Sequence, residues 1–341
     1  MTWAKAVTAA ARLSLLGAAA VLLASCAEGT ETLRLAHTQS AEHPVHVSML
    51  YMADRLEKIS GGEMTMEVYP SGQLGTEREL IELLQIGSIA MTKVSSLSIE
   101  GFVPEMRVFS VPYLFTDNDH FWDVLNSEVG DELLASLEPV LLKGLGYYDS
   151  GSRSFYTKDA PILTPGDLAG KNIRVLSSRA SIEMVDVMGG SATPIAFGEL
   201  YTAIQQGVVD GAENNPPSYY LSRHYEAAPF YSLDEHTTVP DLVVVSLAVW
   251  DRLSPQEQAW LKEAMDDSVT FQRRAWAEAS EEAMAAIVAG GATVTRPDKA
   301  PFRAAVASIK ESHDGTPIGD MIARIDAMAP AASAPAEGDA P

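Results

Sequence analysis

Two arginines in the middle of the chain occupy positions where a charged side chain needs a partner. Arg174 lies within Lys171 to Leu176, a segment predicted to be a strand, and Arg153 lies on a segment predicted to be extended. A guanidinium is charged at physiological pH and presents a planar fork of donors that fits a carboxylate. Buried in a strand, it is costly unless an acid pairs with it. Arg174 therefore pairs either with an acid of the chain or with a ligand carboxylate. The same alternatives apply to Arg153, for which an exposed position without a ligand is favoured.

Three polar residues follow directly on another predicted strand, Val208 to Ala212. They are Glu213, Asn214 and Asn215. Sheets of α/β proteins place ligands at the carboxyl ends of their strands. Amide side chains both donate and accept, so they suit hydroxyl groups and carboxylates. The alternative is that the two asparagines form only a turn before the prolines that follow them.

No motif of nucleophilic, metal or nucleotide chemistry accompanies these residues. The sequence lacks Gly-x-Ser-x-Gly and His-Glu-x-x-His. His43 and His46 form the only close histidine pair, and without further ligands we expect them to face solvent or line a pocket. We therefore predict a protein that is not an enzyme and that has no catalytic residue, metal or cofactor. A hydrolase using Glu77 or Glu213 as acid and base is the weaker alternative.

The composition of the chain further restricts the class of protein to which it can belong. The chain has 341 residues, of which 47% are hydrophobic, so we expect about two domains, each with a substantial core. It has 46 acidic residues against 24 lysines and arginines, and a net charge of -22. Such an acidic surface repels phosphate backbones, so we predict no nucleic-acid partner. A single cysteine excludes a disulfide framework.

The beginning of the chain predicts export. Residues 1–25 contain two basic residues, no acid and an apolar run of about 12 residues, too short to span a bilayer as a helix. The run ends at Cys26, as in a bacterial lipoprotein, so we predict a lipoprotein signal peptide, acylation of Cys26 and a tether over residues 26–32. Two or three acyl chains would hold the protein stably on a membrane. Cleavage near Cys26 without a lipid is the alternative.

The elements that must position the polar residues alternate between strands and helices. Strands are predicted at Leu33 to Ala36, Met64 to Tyr69 and Ile89 to Val94, with helices between them, and a second alternating series follows from Leu145. Ser254, Pro255 and Glu257 open a helix of roughly 33 residues, about 50 Å long, which exceeds one small domain. Residues 327–341 are rich in alanine and proline, and we predict a disordered tail there.

At these residues the chain resembles the solute-binding proteins of tripartite ATP-independent periplasmic (TRAP) transporters, the DctP-like family. The motifs that carry the resemblance are 69–75, 111–115, 171–175 and, above all, 197–214. The resemblance implies an α/β fold of two lobes, joined by crossing segments and spanned by one long helix. It also implies an organic-acid ligand gripped by Arg174, with help from Arg153 and Asn214.

The segments after Asn214 resemble members that bind sugar acids such as uronates. Such ligands need many polar contacts, and the candidates near the motif positions are His37, Glu77, Lys93, Ser95, Glu213 and Asn215. Phe197 is either a lid over the ligand or part of the core, with core favoured. Alternative ligands are a dicarboxylate, an aromatic acid, or a keto acid bound with a cation that Glu213 and Asp234 would hold.

The resemblance also implies how the chain is organised and what it works with. We predict residues 33–150 with 239–279 as lobe I, and 151–238 with 280–326 as lobe II. The expected partners are a small organic acid and the membrane permease subunits of the transporter. We expect a periplasmic, lipid-anchored monomer that captures its ligand by closing the lobes and delivers it to the permease.

Overall fold

The computed structural model describes residues 31–330, which form eleven strands and thirteen α-helices. The strands are β1 (Glu31–Ala36), β2 (Met64–Tyr69), β3 (Met91–Ser95), β4 (Leu142–Tyr148), β5 (Ser152–Thr157), β6 (Asn172–Val175), β7 (Ser191–Pro194), β8 (Gly211–Asn214), β9 (Phe230–Thr238), β10 (Asp241–Ser246) and β11 (Thr293–Thr295). The signal peptide, Cys26 and most of the predicted tether and tail lie outside the described residues.

Helices separate the strands from β1 to β3, as predicted, whereas within the described residues no helix lies between β4 and β5 or between β9 and β10. The helices are α1 (Pro44–Ile59), α2 (Glu77–Gln85), α3 (Ser96–Ile99), α4 (Asn118–Leu125), α5 (Glu128–Ala135), α6 (Arg179–Val187), α7 (Leu200–Gln205), α8 (Pro216–Leu221), α9 (His224–Ala227), α10 (Leu247–Trp250), α11 (Pro255–Ala289), α12 (Ala300–Glu311) and α13 (Pro317–Met328). Short 3-10 helices span Pro104–Ser110, Glu138–Val140, Pro165–Leu168 and Phe197–Glu199. Within residues 31–330, no helix combines the length and the apolar character that a membrane crossing requires.

The strands form two separate sheets, each the centre of one lobe. The first has the order β2-β1-β3-β10-β4, with β10 antiparallel to both of its neighbours. The second has the order β11-β9-β5-β8-β6-β7. The central residues of β10 are all apolar and point alternately to the two faces of the first sheet, so both faces must be covered. Leu242 and Val244 pack into one buried cluster, and Val243 and Val245 pack into another on the opposite face.

The long helix α11 joins the two lobes. Its N-terminal cap is the predicted one, because the Ser254 hydroxyl accepts from the Glu257 amide while the Glu257 carboxylate accepts from the Ser254 amide. Leu261 and Met265 pack in the core of the first lobe, whereas Ala283 and Ile287 pack in that of the second. The two-lobed α/β fold with one spanning helix is therefore confirmed.

The C-terminal part differs from the prediction. We placed residues 280–326 in lobe II, but Ile322 and Ile325 of α13 lie in the core of the first lobe. Phe302, Val306 and Ile309 of α12 do pack in the second lobe. The chain thus returns to the first lobe between α12 and α13. Helix α13 also continues to Met328, so residues 327 and 328 do not belong to the predicted disordered tail, and Glu31 and Thr32 of the predicted tether already belong to β1.

Candidate functional site

A polar chamber lies between the two sheets, where the ends of their strands face each other. Ser95 ends β3 and pairs with Asp241, which begins the antiparallel β10. From the second lobe, Asn214 ends β8 beside Ser154 of β5. The chamber has an empty volume of about 400 Å³, which includes the space at its opening toward solvent. Eight of the ten predicted binding residues line it: Glu77, Lys93, Ser95, Arg153, Arg174, Phe197, Asn214 and Asn215.

Arg174 is the charged group of the chamber that no acid neutralises directly. Its side chain is fully buried on β6, and its Nε donates to the carbonyl of Ile195 at 2.8 Å. That bond fixes the orientation of the guanidinium. Neither Nη1 nor Nη2 has a hydrogen-bond partner among residues 31–330. Burial lowers the pKa of Arg174 to about 10, so the side chain keeps its charge at neutral pH.

Arg153 has the same buried position but a complete set of internal partners. Its Nε and Nη2 form a two-pronged ion pair with the Glu213 carboxylate, with Nη2 at 2.8 Å from Oε1. Its Nη1 donates to Asn214 Oδ1 at 3.1 Å. The expectation of an exposed Arg153 is therefore wrong. Burial would raise the pKa of Glu213, but Arg153 and His236 together outweigh burial and lower it to about 2.

Glu213 lies behind this arginine and does not line the chamber. His236 Nε2 stands 3.7 Å from Glu213 Oε2, and His236 Nδ1 donates to Asp234 Oδ2 at 2.8 Å. Burial alone would lower the pKa of His236, yet Asp234 and Glu213 raise it to about 9, so the ring is cationic at neutral pH. The two carboxylates that might have held a cation are thus engaged in ion pairs. Residues 31–330 contain no group of three or more metal-ligating side chains.

On the first lobe, Lys93 lies between two carboxylates. Its Nζ is 3.2 Å from Glu77 Oε1 and 3.1 Å from Asp241 Oδ2. The second oxygen of Glu77 accepts from Ser98 Oγ at 2.6 Å. Burial would lower the pKa of Lys93, but Asp241 and Glu77 together raise it, so the lysine stays charged. We call Glu77, Lys93 and Asp241 the Lys93 cluster.

The two asparagines that follow β8 both contribute. Asn215 caps α8, where its Oδ1 accepts from the Ser218 amide, and its Nδ2 donates to the carbonyl of Ser150 at 2.9 Å. Asn214 uses its Oδ1 for Arg153 and for the amide of Asn215. They form more than a turn, because both side chains also line the chamber.

Phe197 is half-buried and lines both the chamber and the wider mouth outside it. It belongs to none of the buried core clusters of residues 31–330, so the preference for a core role is wrong. Its ring meets His224 edge-on, with centroids 5.8 Å apart. It therefore presents an apolar surface at the entrance.

His37 does not line the chamber, contrary to prediction. Its Nε2 lies 3.0 Å from Nδ1 of His46, and its Nδ1 accepts from the Gln39 amide. Burial, together with Lys93, lowers the pKa of His37 to about 3, so the ring is neutral. It supports the wall of the chamber from behind.

Several lining residues were not singled out from the sequence. They are Thr38, Gln39, Ser150, Leu176, Ser218 and Asp241. Asp241 carried a usable signal, since it is the one acid at the start of an apolar strand. His43 also lines the chamber, one of the two positions allowed for it, and its Nε2 lies 3.2 Å from Ser218 Oγ of the other lobe.

Two lobes around a buried polar chamber, closed by contacts such as His43–Ser218, define the class of extracytoplasmic solute-binding proteins. The comparisons with known proteins make the assignment specific. Residues 35–313 match the model of the DctP family, described as bacterial extracellular solute-binding protein, family 7. The chain belongs to this family and is a solute-binding protein of the TRAP transporter type.

Individual relatives agree over most of the chain. It is 38% identical to a TRAP solute-binding protein of Xanthobacter autotrophicus Py2 solved with β-D-galacturonate; the match covers 86% of this chain and 99% of that one, with a TM-score of 0.84. A protein of Pseudomonas putida F1 solved with D-glucuronate is 36% identical, with 87% and 97% covered and a TM-score of 0.84. The 2,3-diketo-L-gulonate-binding periplasmic protein YiaO of Escherichia coli is 32% identical, over 73% of this chain and 76% of its own.

These findings confirm the predicted family and its general role in transport. Proteins of this type bind small organic acids and work with membrane permease subunits, and relatives of this chain are named as periplasmic.

Proposed function

We propose that this protein captures a sugar acid, most specifically a uronate, and that the ligand carboxylate binds the two Nη atoms of Arg174. One observation carries the proposal: a fully buried guanidinium whose Nη atoms have no partner within residues 31–330. A carboxylate about 4 Å away gains on the order of 4 kcal/mol of Coulomb energy at an effective dielectric near 20, before desolvation. A ligand of this kind satisfies the donors that the chain leaves free.

The other lining groups suit the hydroxyl groups of a sugar acid. Asn214 and Asn215 offer amide groups, and Glu77 and Asp241 offer acceptor oxygens, while Phe197 covers an apolar face. The relatives solved with galacturonate and glucuronate support the same ligand class. A dicarboxylate, keto acid or aromatic acid in the same role is the alternative.

Capture proceeds by closure of the lobes over the ligand. The His43–Ser218 contact joins the two lobes. The Asn215–Ser150 bond joins the second lobe to the segment between β4 and β5, where the chain crosses from one lobe to the other. A ligand that touches both walls favours this closed arrangement by its differential affinity. The closed form then presents a surface from both lobes to the permease, and the bound acid leaves chemically unchanged.

Calorimetric titration with galacturonate, glucuronate, galactose and succinate tests the ligand class. We expect tight binding of a uronate and no detectable binding of galactose, which has the same ring without the carboxylate. Tight succinate binding without uronate binding would assign the protein to the dicarboxylate alternative. Nuclear magnetic resonance of the recovered uronate tests the absence of turnover, and any product would contradict a purely binding role.

We further propose that the protein is exported and held on a membrane as a monomer through a lipid on Cys26, which lies outside the described residues. The signal sequence supports this proposal. Metabolic labelling with a radioactive fatty acid should mark the wild type and leave Cys26→Ser unmarked. Equal release of both forms into the aqueous phase of a detergent extraction would exclude the anchor, and light scattering tests the monomer.

A further inference from the structure

The two walls of the chamber differ in net charge. On the second lobe, Arg153 is neutralised by Glu213, and the cationic His236 is neutralised by Asp234. His224, beside Phe197, is neutral because burial and then Arg174 lower its pKa to about 3. Arg174 alone keeps an uncompensated charge on this wall. The second wall therefore carries one net positive charge.

The first wall carries the opposite excess. Lys93 is the cation of this wall within the described residues, and two carboxylates, Glu77 and Asp241, share it. His43 is neutral, since burial holds its pKa well below the usual value. The Lys93 cluster is almost fully screened from water, since the side chains of Lys93, Glu77 and Asp241 are 2%, 11% and 5% exposed, respectively. Burial, and to a smaller extent Glu77, raise the pKa of Asp241 against the opposing effect of Lys93. With both carboxylates ionised, the cluster carries one excess negative charge in a poorly hydrated place.

We infer that the Lys93 cluster makes the site selective for charge: it admits a sugar acid with one carboxylate and disfavours the same carbon skeleton with a carboxylate at both ends. The inference rests on the proposed function and names the residues that set its substrate class. With one carboxylate on Arg174, the far end of the ligand meets Glu77 and Asp241. Hydroxyl groups there donate to the remaining lone pairs of these two carboxylates, whereas a second carboxylate is repelled and cannot donate.

The size of the effect follows from the charge and the distance. A unit charge about 5 Å from one excess charge, at an effective dielectric near 20, changes affinity on the order of a hundredfold. Removal of one carboxylate from the cluster makes this wall neutral. The penalty on a second ligand carboxylate should then fall to on the order of tenfold or less.

Titration calorimetry with galacturonate and galactarate tests the inference in four proteins: the wild type, Glu77→Gln, Asp241→Asn and the control Glu82→Gln. Glu82 lies on the same helix as Glu77 but is exposed and pairs with Arg78, so it removes the same charge away from the chamber. We expect the wild type and the control to prefer galacturonate about a hundredfold. The other two variants should lose most of that preference.

The change in preference carries the test, because galactarate also differs from galacturonate in shape. A preference that stays the same in Glu77→Gln and Asp241→Asn would overturn the inference, as would a wild type that binds both acids equally. Circular dichroism verifies the fold of each variant, and one folded variant is enough for the comparison with the wild type. Binding of neither acid would instead refute the proposed function, so the two failures are distinguishable.

Discussion

Arg153 and Arg174 are two buried guanidiniums on strands that flank the same neighbour, β8, yet their environments are opposite. Arg153 is held by both oxygens of Glu213, and Arg174 has only the Ile195 carbonyl on its Nε. The pKa of Arg153 is raised, because Glu213 outweighs the effect of burial, whereas burial lowers the pKa of Arg174. An arginine with its own acid is part of the structure, and an arginine without one is available to a ligand.

The largest effect on stability should come from breaking the paired arginine. Arg153→Met leaves Glu213 buried without its main cation, and loss of one partner of a buried pair costs about 3–5 kcal/mol of unfolding free energy. Urea denaturation measures this loss. The double variant Arg153→Met with Glu213→Leu should recover most of it, and a double variant as unstable as the single one would contradict the pairing.

Acid should weaken the same pair. The pKa of Glu213 is about 2 when folded against a usual value of 4.5, so its stabilisation is present above pH 4.5 and is lost as the pH falls toward 2. The difference corresponds to about 3 kcal/mol. Denaturation curves at several pH values should therefore show wild type and Glu213→Gln converging in acid. A constant gap between them would show that the ionised form of Glu213 does not stabilise the fold.

Changing the unpaired arginine should affect binding far more than stability. Arg174→Met should weaken uronate binding by roughly a hundredfold, because the desolvated carboxylate loses its charged partner. The empty protein should be as stable as the wild type or more so, since the variant removes a buried charge that has no acid partner. A large loss of stability without ligand would indicate an internal partner for Arg174.

The smallest effect is expected from substitution of an exposed arginine, which serves as the control for Arg153→Met. Arg324 forms a two-pronged pair with Glu132 on the surface, the same pair of residue types as Arg153 and Glu213. Arg324→Ala should change neither uronate affinity nor the melting temperature measurably, because exposed pairs contribute little. An effect as large as that of Arg153→Met would show that burial is not what separates these pairs.

The sequence predicts the elements best where the signal is local. The predicted cap at Ser254 is confirmed, since a capping box needs only four consecutive residues. Residues 216–227 form two helices and not one, because Arg223 adopts φ of +57° between them. The lobe of α13 was not predictable either, since an apolar helix face fits either core.

The residues of the site show the same contrast between local sequence signals and contacts that depend on the fold. Arg174 stands out in the sequence because its strand neighbours are apolar. The partner of Arg153 does not, since Glu213 is 60 residues away and the contact depends on the pairing of β5 with β8. His37 is predicted in the chamber as a polar residue near the family motifs, but its ring turns to His46 instead. Which side a residue faces after a strand ends is set by packing.

A crystal structure with galacturonate bound tests the role of Arg174 most directly. The ligand carboxylate should lie within hydrogen-bond distance of both Nη1 and Nη2 of Arg174, while Arg153 keeps its pair with Glu213. A carboxylate bound instead to Lys93 or Arg153, or an Arg174 side chain turned to an acid of the protein, would contradict that role.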